Sequence, residues 1–300
     1  MEIKPVGILL KRAFNKYIQD DPIQMSGTTA FFAVLALAPM VIISSILAGI
    51  LISESTIQET IMSETQAMIG EEGKEYIEML IENYRNRDRS GSTGSTIVAI
   101  AIFLGILTTF FSVVQNAINF IWRVRSKPEN NFLKALKDRL LSFALLLVIL
   151  VIIAVSILAE AALTFGIKIL VESFPNVAWA TIQGLHVIVS IGMFWLIFAI
   201  IYRFLPDARI KWKVTWTGAF ITSLLFILGR FLIGVLLRNS GIGDLYGAAG
   251  SIIIVLLWVF YSSIIFYFGA EITQQFAAQY VRRIQPKDYA VKLEIKELNR

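Results

Sequence analysis

Six apolar stretches, each long enough to cross a bilayer, divide this chain and leave little freedom in what it can fold into. They run from Met25 to Ile52, Ser95 to Trp122, Leu140 to Phe165, Ala178 to Tyr202, Val214 to Leu237 and Gly250 to Phe276. A hydrocarbon core about 30 Å thick takes roughly 20 residues of helix at about 1.5 Å each. A backbone in lipid must satisfy its own hydrogen bonds, and within a single segment only a helix does so. With 56% hydrophobic and 16% charged residues and a mean hydropathy of +0.70, a water-soluble fold is excluded. The expected fold class is all-α: a polytopic membrane protein of six transmembrane helices, one membrane domain over residues 1–300. The first stretch begins well inside the chain, exceeds a signal-peptide core in length and ends at Ile52-Ser53-Glu54 without a cleavage pattern, so it reads as a retained span.

Lysine and arginine are held on the cytoplasmic side during insertion, and here they are sorted. Of 27 such residues, twenty fall in alternate connections: around Lys4 to Lys16, Arg123 to Arg139, Arg203 to Lys213 and Arg282 to Arg300. The other side has Lys74, Arg85, Arg87, Arg89, Lys168 and Arg238, and Arg230 lies inside the fifth span. Both termini are therefore expected in the cytoplasm. The net charge of +5 reports orientation, and no nucleic-acid partner is needed to explain it.

One connection is long. Residues 53–94 form an acidic external loop in which Ile57, Ile61, Met68, Ile77, Leu80, Ile81 and Tyr84 recur at helical spacing, predicting amphipathic helices over the outer mouth. A flexible Ser90 to Ser95 stretch follows it. Residues 1–24 hold a cytoplasmic interfacial helix, with Val6, Leu9, Leu10, Ala13, Phe14, Tyr17 and Ile18 on one face and Lys11, Arg12, Asn15 and Lys16 on another. Residues 277–300 are a cytoplasmic tail, whose charges from Lys287 to Arg300 alternate around Val291, Leu293, Ile295 and Leu298 and fit a short exposed helix.

The side-chain inventory argues against an enzyme. There is no cysteine and a single histidine, His186, which reads as a buried hydrogen-bonded imidazole or, less simply, a proton relay. Neither a metal site nor a cofactor site is expected. The run from Gly241 to Gly247 has the wrong spacing and the wrong setting for a nucleotide loop.

Polar groups inside the spans are costly and therefore informative. Glu160, Arg230 and Glu271 are the ionisable ones. Counting about 1.5 Å per residue puts Glu160 roughly 30 Å along the third span and Arg230 roughly 24 Å along the fifth, where the two could meet. Glu271 lies near the cytoplasmic end of the sixth span, with Arg123 or Arg203 as its expected partner. A structural ion pair is the simpler reading at both places, and an anion, headgroup or proton pathway is the other. Gln115, Asn116 and Asn119 add amides to the second span, which either join helices or contact a substrate. Thr217-Gly218-Ala219 with Thr222 and Ser223 suit close helix approach, while Gly241, Gly243, Gly247 and Gly250 form a turn or an interrupted helix.

These pieces, in this order on six spans, resemble the YihY/BrkB family of bacterial inner-membrane proteins over nearly the whole chain. The resemblance rests on Ala30-Phe31-Phe32 leading through Leu35-Ala36-Leu37-Ala38 to Pro39, on Asn119 with Trp122, on Pro206 followed by Gly218-Ala219, and most of all on Tyr246-Gly247, Gly250, Trp258, Tyr261 and Gly269-Ala270-Glu271. Ala36 stands where the family often has serine. Some members are labelled ribonucleases, but the cytoplasmic segments here lack histidine and a carboxylate cluster for RNA hydrolysis. The resemblance implies a six-span protein of the plasma (inner) membrane with a role in the cell envelope. Two expectations follow: a transporter or lipid translocase, acting on a lipid or anionic amphiphile along a polar route of Glu160, Arg230, Glu271 and the span-two amides, or a non-catalytic scaffold or envelope-assembly partner whose polar residues fix helix packing.

Overall fold

The computed structural model describes residues 6–51, 62, 66, 71–85, 93–127, 144, 147–148, 152, 175–238, 241, 245–246, 249–280 and 285–293. The long elements are helices: α1 (Val6–Gln19), α2 (Pro22–Leu51), α3 (Glu71–Arg85), α4 (Thr93–Ile121), α5 (Pro175–Phe204), α6 (Trp212–Arg238) and α7 (Gly250–Tyr280). The first, second, fourth, fifth and sixth apolar stretches thus become α2, α4, α5, α6 and α7, with ends within four residues of those expected. Within α4, α5, α6 and α7 the chain is long and apolar enough to cross a membrane, and α2 is a helix of 30 residues. The third stretch lies largely outside the described residues.

Four short strands qualify the all-α expectation: β1 (Val124–Ser126), β2 (Ala208–Arg209), β3 (Gln285–Pro286) and β4 (Ala290–Lys292). β1 pairs antiparallel with β4, Val124 opposite Lys292 and Ser126 opposite Ala290, and β2 pairs antiparallel with β3. The segment after α7 is therefore not the expected exposed helix over its described part. Val291 and Leu293 are two apart, which is the strand period, and the neighbouring loops offer free backbone edges for them. Lys127 N–H donates to the Tyr289 carbonyl at 2.9 Å, and Lys287 N–H to the Asp207 carbonyl at 2.9 Å.

Two left-handed residues set the chain direction where helices end. Arg123, φ 54°, stops α4 and turns it into β1; its carbonyl accepts Leu293 N–H at 2.8 Å and its guanidinium lies 4.9 Å from the Phe120 ring centre. Asp21, φ 50°, separates α1 from α2, which then opens on Pro22, a position where the missing N–H costs nothing.

The described residues fall into two compact units. One draws on residues 1–14, 118–227 and 268–300, and the other on 15–117 and 228–267. In the first, α5 and α6 meet through aromatic rings, with Phe226 4.7 Å from Phe194 and 5.4 Å from Phe198 between ring centres. In the second, α3 buries Tyr76, Ile77 and Ile81 against Val255 of α7, beside Val34 and Leu37 of α2. Those residues are one face of an amphipathic helix, as the loop's periodicity predicts, and α3 lies against the first turns of α7 and the middle of α2. On α1, Leu9, Ala13 and Tyr17 are buried, whereas Leu10, Phe14 and Ile18, one residue further round, are exposed beside Lys11 and Arg12. The single apolar face expected there is two stripes, one for protein and one for solvent or lipid.

Candidate functional site

The first unit places its polar residues in two groups. At the crossing of α6 and α7, Gly218 and Thr222 on one helix face Thr273 and Gly269 on the other. Each threonine hydroxyl is satisfied one turn back on its own helix: Thr222 Oγ1 donates to the Gly218 carbonyl at 2.8 Å, and Thr273 Oγ1 to the Gly269 carbonyl at 2.7 Å. Each threonine then fills the space left by the other helix's glycine. A Cβ on Gly218 would overlap the Thr273 hydroxyl, and one on Gly269 would overlap that of Thr222 and lie 2.7 Å from the Tyr202 hydroxyl. Because 218 meets 273 and 222 meets 269, the helices run antiparallel. Lipid supplies no hydrophobic drive for helices to associate, so such close contacts between small residues are what hold them.

Glu271 sits between Gly269 and Thr273 in sequence, but at 100° per residue it points to the opposite side of α7. It is fully buried there, and Oε1 accepts from Gln275 Nε2, one turn on, at 2.9 Å. Burial of a carboxylate in a helix this apolar makes it the most costly residue of the described span.

The second group lies where the strands are. Asp207, just beyond α5, is fully buried, and its Oδ2 accepts from Asn119 Nδ2 at 2.9 Å and Ser126 Oγ at 2.6 Å. Asp207 N–H donates in turn to Asn119 Oδ1 at 2.7 Å. The amide and the aspartate thus clamp the end of α4 to the loop after α5, and the serine adds β1. On the outside of this knot one guanidinium nitrogen of Arg209, Nη2, donates to both carboxylate oxygens of Asp288, at 2.6 and 2.7 Å. Beside it the Arg203 guanidinium lies 5.3 Å from the Trp212 ring, which stacks on Trp216, and Trp195 Nε1 donates to the Trp216 carbonyl at 2.9 Å.

In the second unit, Tyr17 OH donates to the Ile264 carbonyl at 2.7 Å, and the hydroxyls of Thr29 and Tyr267 are 2.6 Å apart. Tyr17 is on α1, and burial, the largest influence on it, pushes its phenol well above the ordinary range. Gly229 lets α6 approach Ile265 and Tyr261 of α7, and Ile233 and Leu237 continue the same face against Ile254 and Trp258. Arg230, one residue after Gly229, is turned about 100° from that contact and is half-buried.

Of the residues expected to share a polar route, Glu160 lies outside the described residues, and so does any pairing with Arg230. Gln115 and Asn119 are buried and Asn116 is exposed, as one helix face with a neighbour turned away. Asn119 joins structure together through Asp207. His186 and Pro39 lie within α5 and α2, their side chains outside the described residues, and α2 continues as helix through Pro39. Gly218 and Gly269 are helical and form the crossing; Gly250 opens α7, Tyr246 is exposed, and Gly247 is outside the described residues. Sequence reasoning passed over Asp207, Tyr202, Thr222 as a partner of Gly269, and Thr273. The signal for Asp207 was that it is the one acid among Arg203, Arg209, Lys211 and Lys213. For the threonines it was the repeat of Gly-x-x-x-Thr at 218–222 and 269–273.

Comparison with known proteins gives a consistent result. Residues 13–292 match the family model described as virulence factor BrkB. A UPF0761 membrane protein of Psychromonas ingrahamii is 26% identical over 260 residues, covering 85% of this chain and 82% of its own. Proteins of the same name are 24% identical in Haemophilus influenzae, over 91% of this chain and 95% of theirs, and 25% identical in Cronobacter sakazakii, over 90% and 88%. No solved structure matches the chain.

Proposed function

The chain belongs to the BrkB virulence factor family of integral membrane proteins, and from that premise we propose that it is a transporter or lipid translocase of the plasma membrane, acting in the cell envelope on a lipid or anionic amphiphile. In this reading it has six spans with both termini in the cytoplasm, and its role is not enzymatic. The observation that carries the proposal is Glu271: a carboxylate fully buried in an apolar helix of 31 residues, held by Gln275 on the side away from the α6 crossing. An ionisable group is rarely kept at such a cost unless its charge is used, to take up a proton or to meet a passing cation or headgroup. Arg230 and Glu160 complete the proposed polar route.

The test is translocation of a fluorescent anionic phospholipid by purified protein in liposomes. Glu271→Gln, which keeps the shape and a hydrogen-bonding group but removes the charge, should lower the rate at least tenfold with normal insertion. Full activity of that variant would remove Glu271 from the route.

A second reading, a scaffold or envelope-assembly partner, is favoured by the α6–α7 crossing and the Asp207 knot, where polar groups serve packing. It predicts a stable complex on crosslinking in the membrane and no lipid movement by the protein alone.

A further inference from the structure

The end of α6 that carries the tryptophans has a use that the transport reading does not need. Lys211, Trp212 and Lys213 are all exposed, Arg203 is held over the Trp212 ring at 5.3 Å, and Phe204 meets the same ring edge-on at 6.0 Å. Lys287 Nζ, 3.3 Å from the Phe204 carbonyl, adds a further cation. Between Arg203 and Thr217 the one acid, Asp207, is buried and bound to Asn119 and Ser126, and Asp288, next to Lys287, is taken up by Arg209, so both acids are engaged away from Lys211 and Lys213. The patch also leads onto an apolar surface. Lys213, Thr217, Phe220 and Leu224 follow one another at intervals of three and four, and all four are exposed on one face of α6. From Thr217 to Leu224, below the cations, that face is about 10 Å long at 1.5 Å per residue, enough for the upper part of an acyl chain.

We propose that this face is a binding site for a single anionic phospholipid, with Lys211, Lys213 and Arg203 on the phosphate and its headgroup, the Trp212 ring at the level of the glycerol, and an acyl chain along Phe220 and Leu224. The occupant follows from the charge and its geometry. Cations in water beside a membrane attract anionic lipid, tryptophan favours the level of the headgroups, and a bare phosphate would gain nothing from the apolar face. Since the site uses neither Glu271 nor the α6–α7 crossing, it stands or falls apart from transport.

The experiment uses the tryptophans as reporters, in the full-length protein reconstituted in phosphatidylcholine bilayers. Brominated phosphatidylglycerol at a given mole fraction should quench fluorescence more than brominated phosphatidylcholine, corresponding to a several-fold preference. Trp212→Phe should remove most of the excess. Lys211→Gln/Lys213→Gln, which alters exposed side chains only, should bring the preference close to one while leaving quenching by brominated phosphatidylcholine and thermal unfolding unchanged. Equal quenching of the unaltered protein by the two lipids, or a preference that survives the double substitution, would overturn the proposal. So would loss of the excess on adding millimolar glycerol phosphate, which would assign the patch to a soluble phosphate.

Discussion

Gly218 and Thr273 occupy one space between α6 and α7: the hydroxyl of the threonine stands where a side chain on the glycine would begin, with the threonine Cβ 2.6 Å from that point. Gly269 and Thr222 repeat the relationship one turn away, but there the other close neighbours are the Thr222 methyl at 2.6 Å and the Tyr202 hydroxyl at 2.7 Å. Gly218→Ala and Gly269→Ala should each destabilise the protein by about 3 kcal/mol, since an added methyl in a close-packed interior forces neighbours apart. Rescue should be unequal. Thr222→Ala removes both threonine atoms that oppose Gly269→Ala, and the end of Tyr202 can swing, whereas Thr273→Ala leaves the Cβ that opposes Gly218→Ala. Thermal unfolding in detergent of the four single and two double variants checks this, and equal rescue at both places would show that the helices simply separate.

Asp207 should be the most sensitive polar position at the strand-bearing end. Its carboxylate is fully buried and receives Asn119 and Ser126, so Asp207→Ala strands both donors and should cost about 2–4 kcal/mol. Asp207→Asn keeps one oxygen for them and should cost less. A loss of unfolding temperature no greater for alanine than for asparagine would argue against the clamp.

Arg209 and Asp288 look stronger in geometry and should matter less. Their contacts are 2.6 and 2.7 Å, but the side chains are 55% and 90% exposed, and exposed pairs contribute about 0.2–1 kcal/mol. Asp288→Asn should therefore shift unfolding by less than 1 kcal/mol, and 0.5 M salt should erase the difference. A cost approaching that of Asp207→Ala would mean that β2 and β3 depend on this pair.

How far the sequence could be read follows from what each signal measures. Runs of apolar residues located five helices to within four residues, because length and hydropathy alone decide what lipid accepts. Contacts between distant segments leave weaker marks. Asp207 drew no notice in its basic loop, since nothing local shows that Asn119, 88 residues away, faces it. Val291 and Leu293 carried a strand period too short to stand out against alternating charges, and only the strand edges of the other two loops give it meaning. The glycines of the α6–α7 crossing were visible as small residues, but their register depends on the threonine four residues beyond each, a pairing of two helices that no single helix displays.

Tyr17 offers a test by pH. Its phenol donates to the Ile264 carbonyl at 2.7 Å, and burial is the main cause of its raised pKa. The neutral form is thus favoured in the folded protein over the unfolded chain, where a tyrosine ionises near pH 10. The stabilisation is complete below that pH and is lost as pH rises from about 10 towards the higher folded value, at up to about 1.4 kcal/mol per pH unit. Tyr17→Phe should lower stability by about 1 kcal/mol at pH 8, the value of one hydrogen bond. Above pH 10 it should decline less steeply than the unaltered protein, so that the two curves converge or cross. Thermal unfolding measured from pH 8 to 11 checks both parts, and curves that stay parallel throughout would show that the Tyr17 hydroxyl is open to solvent.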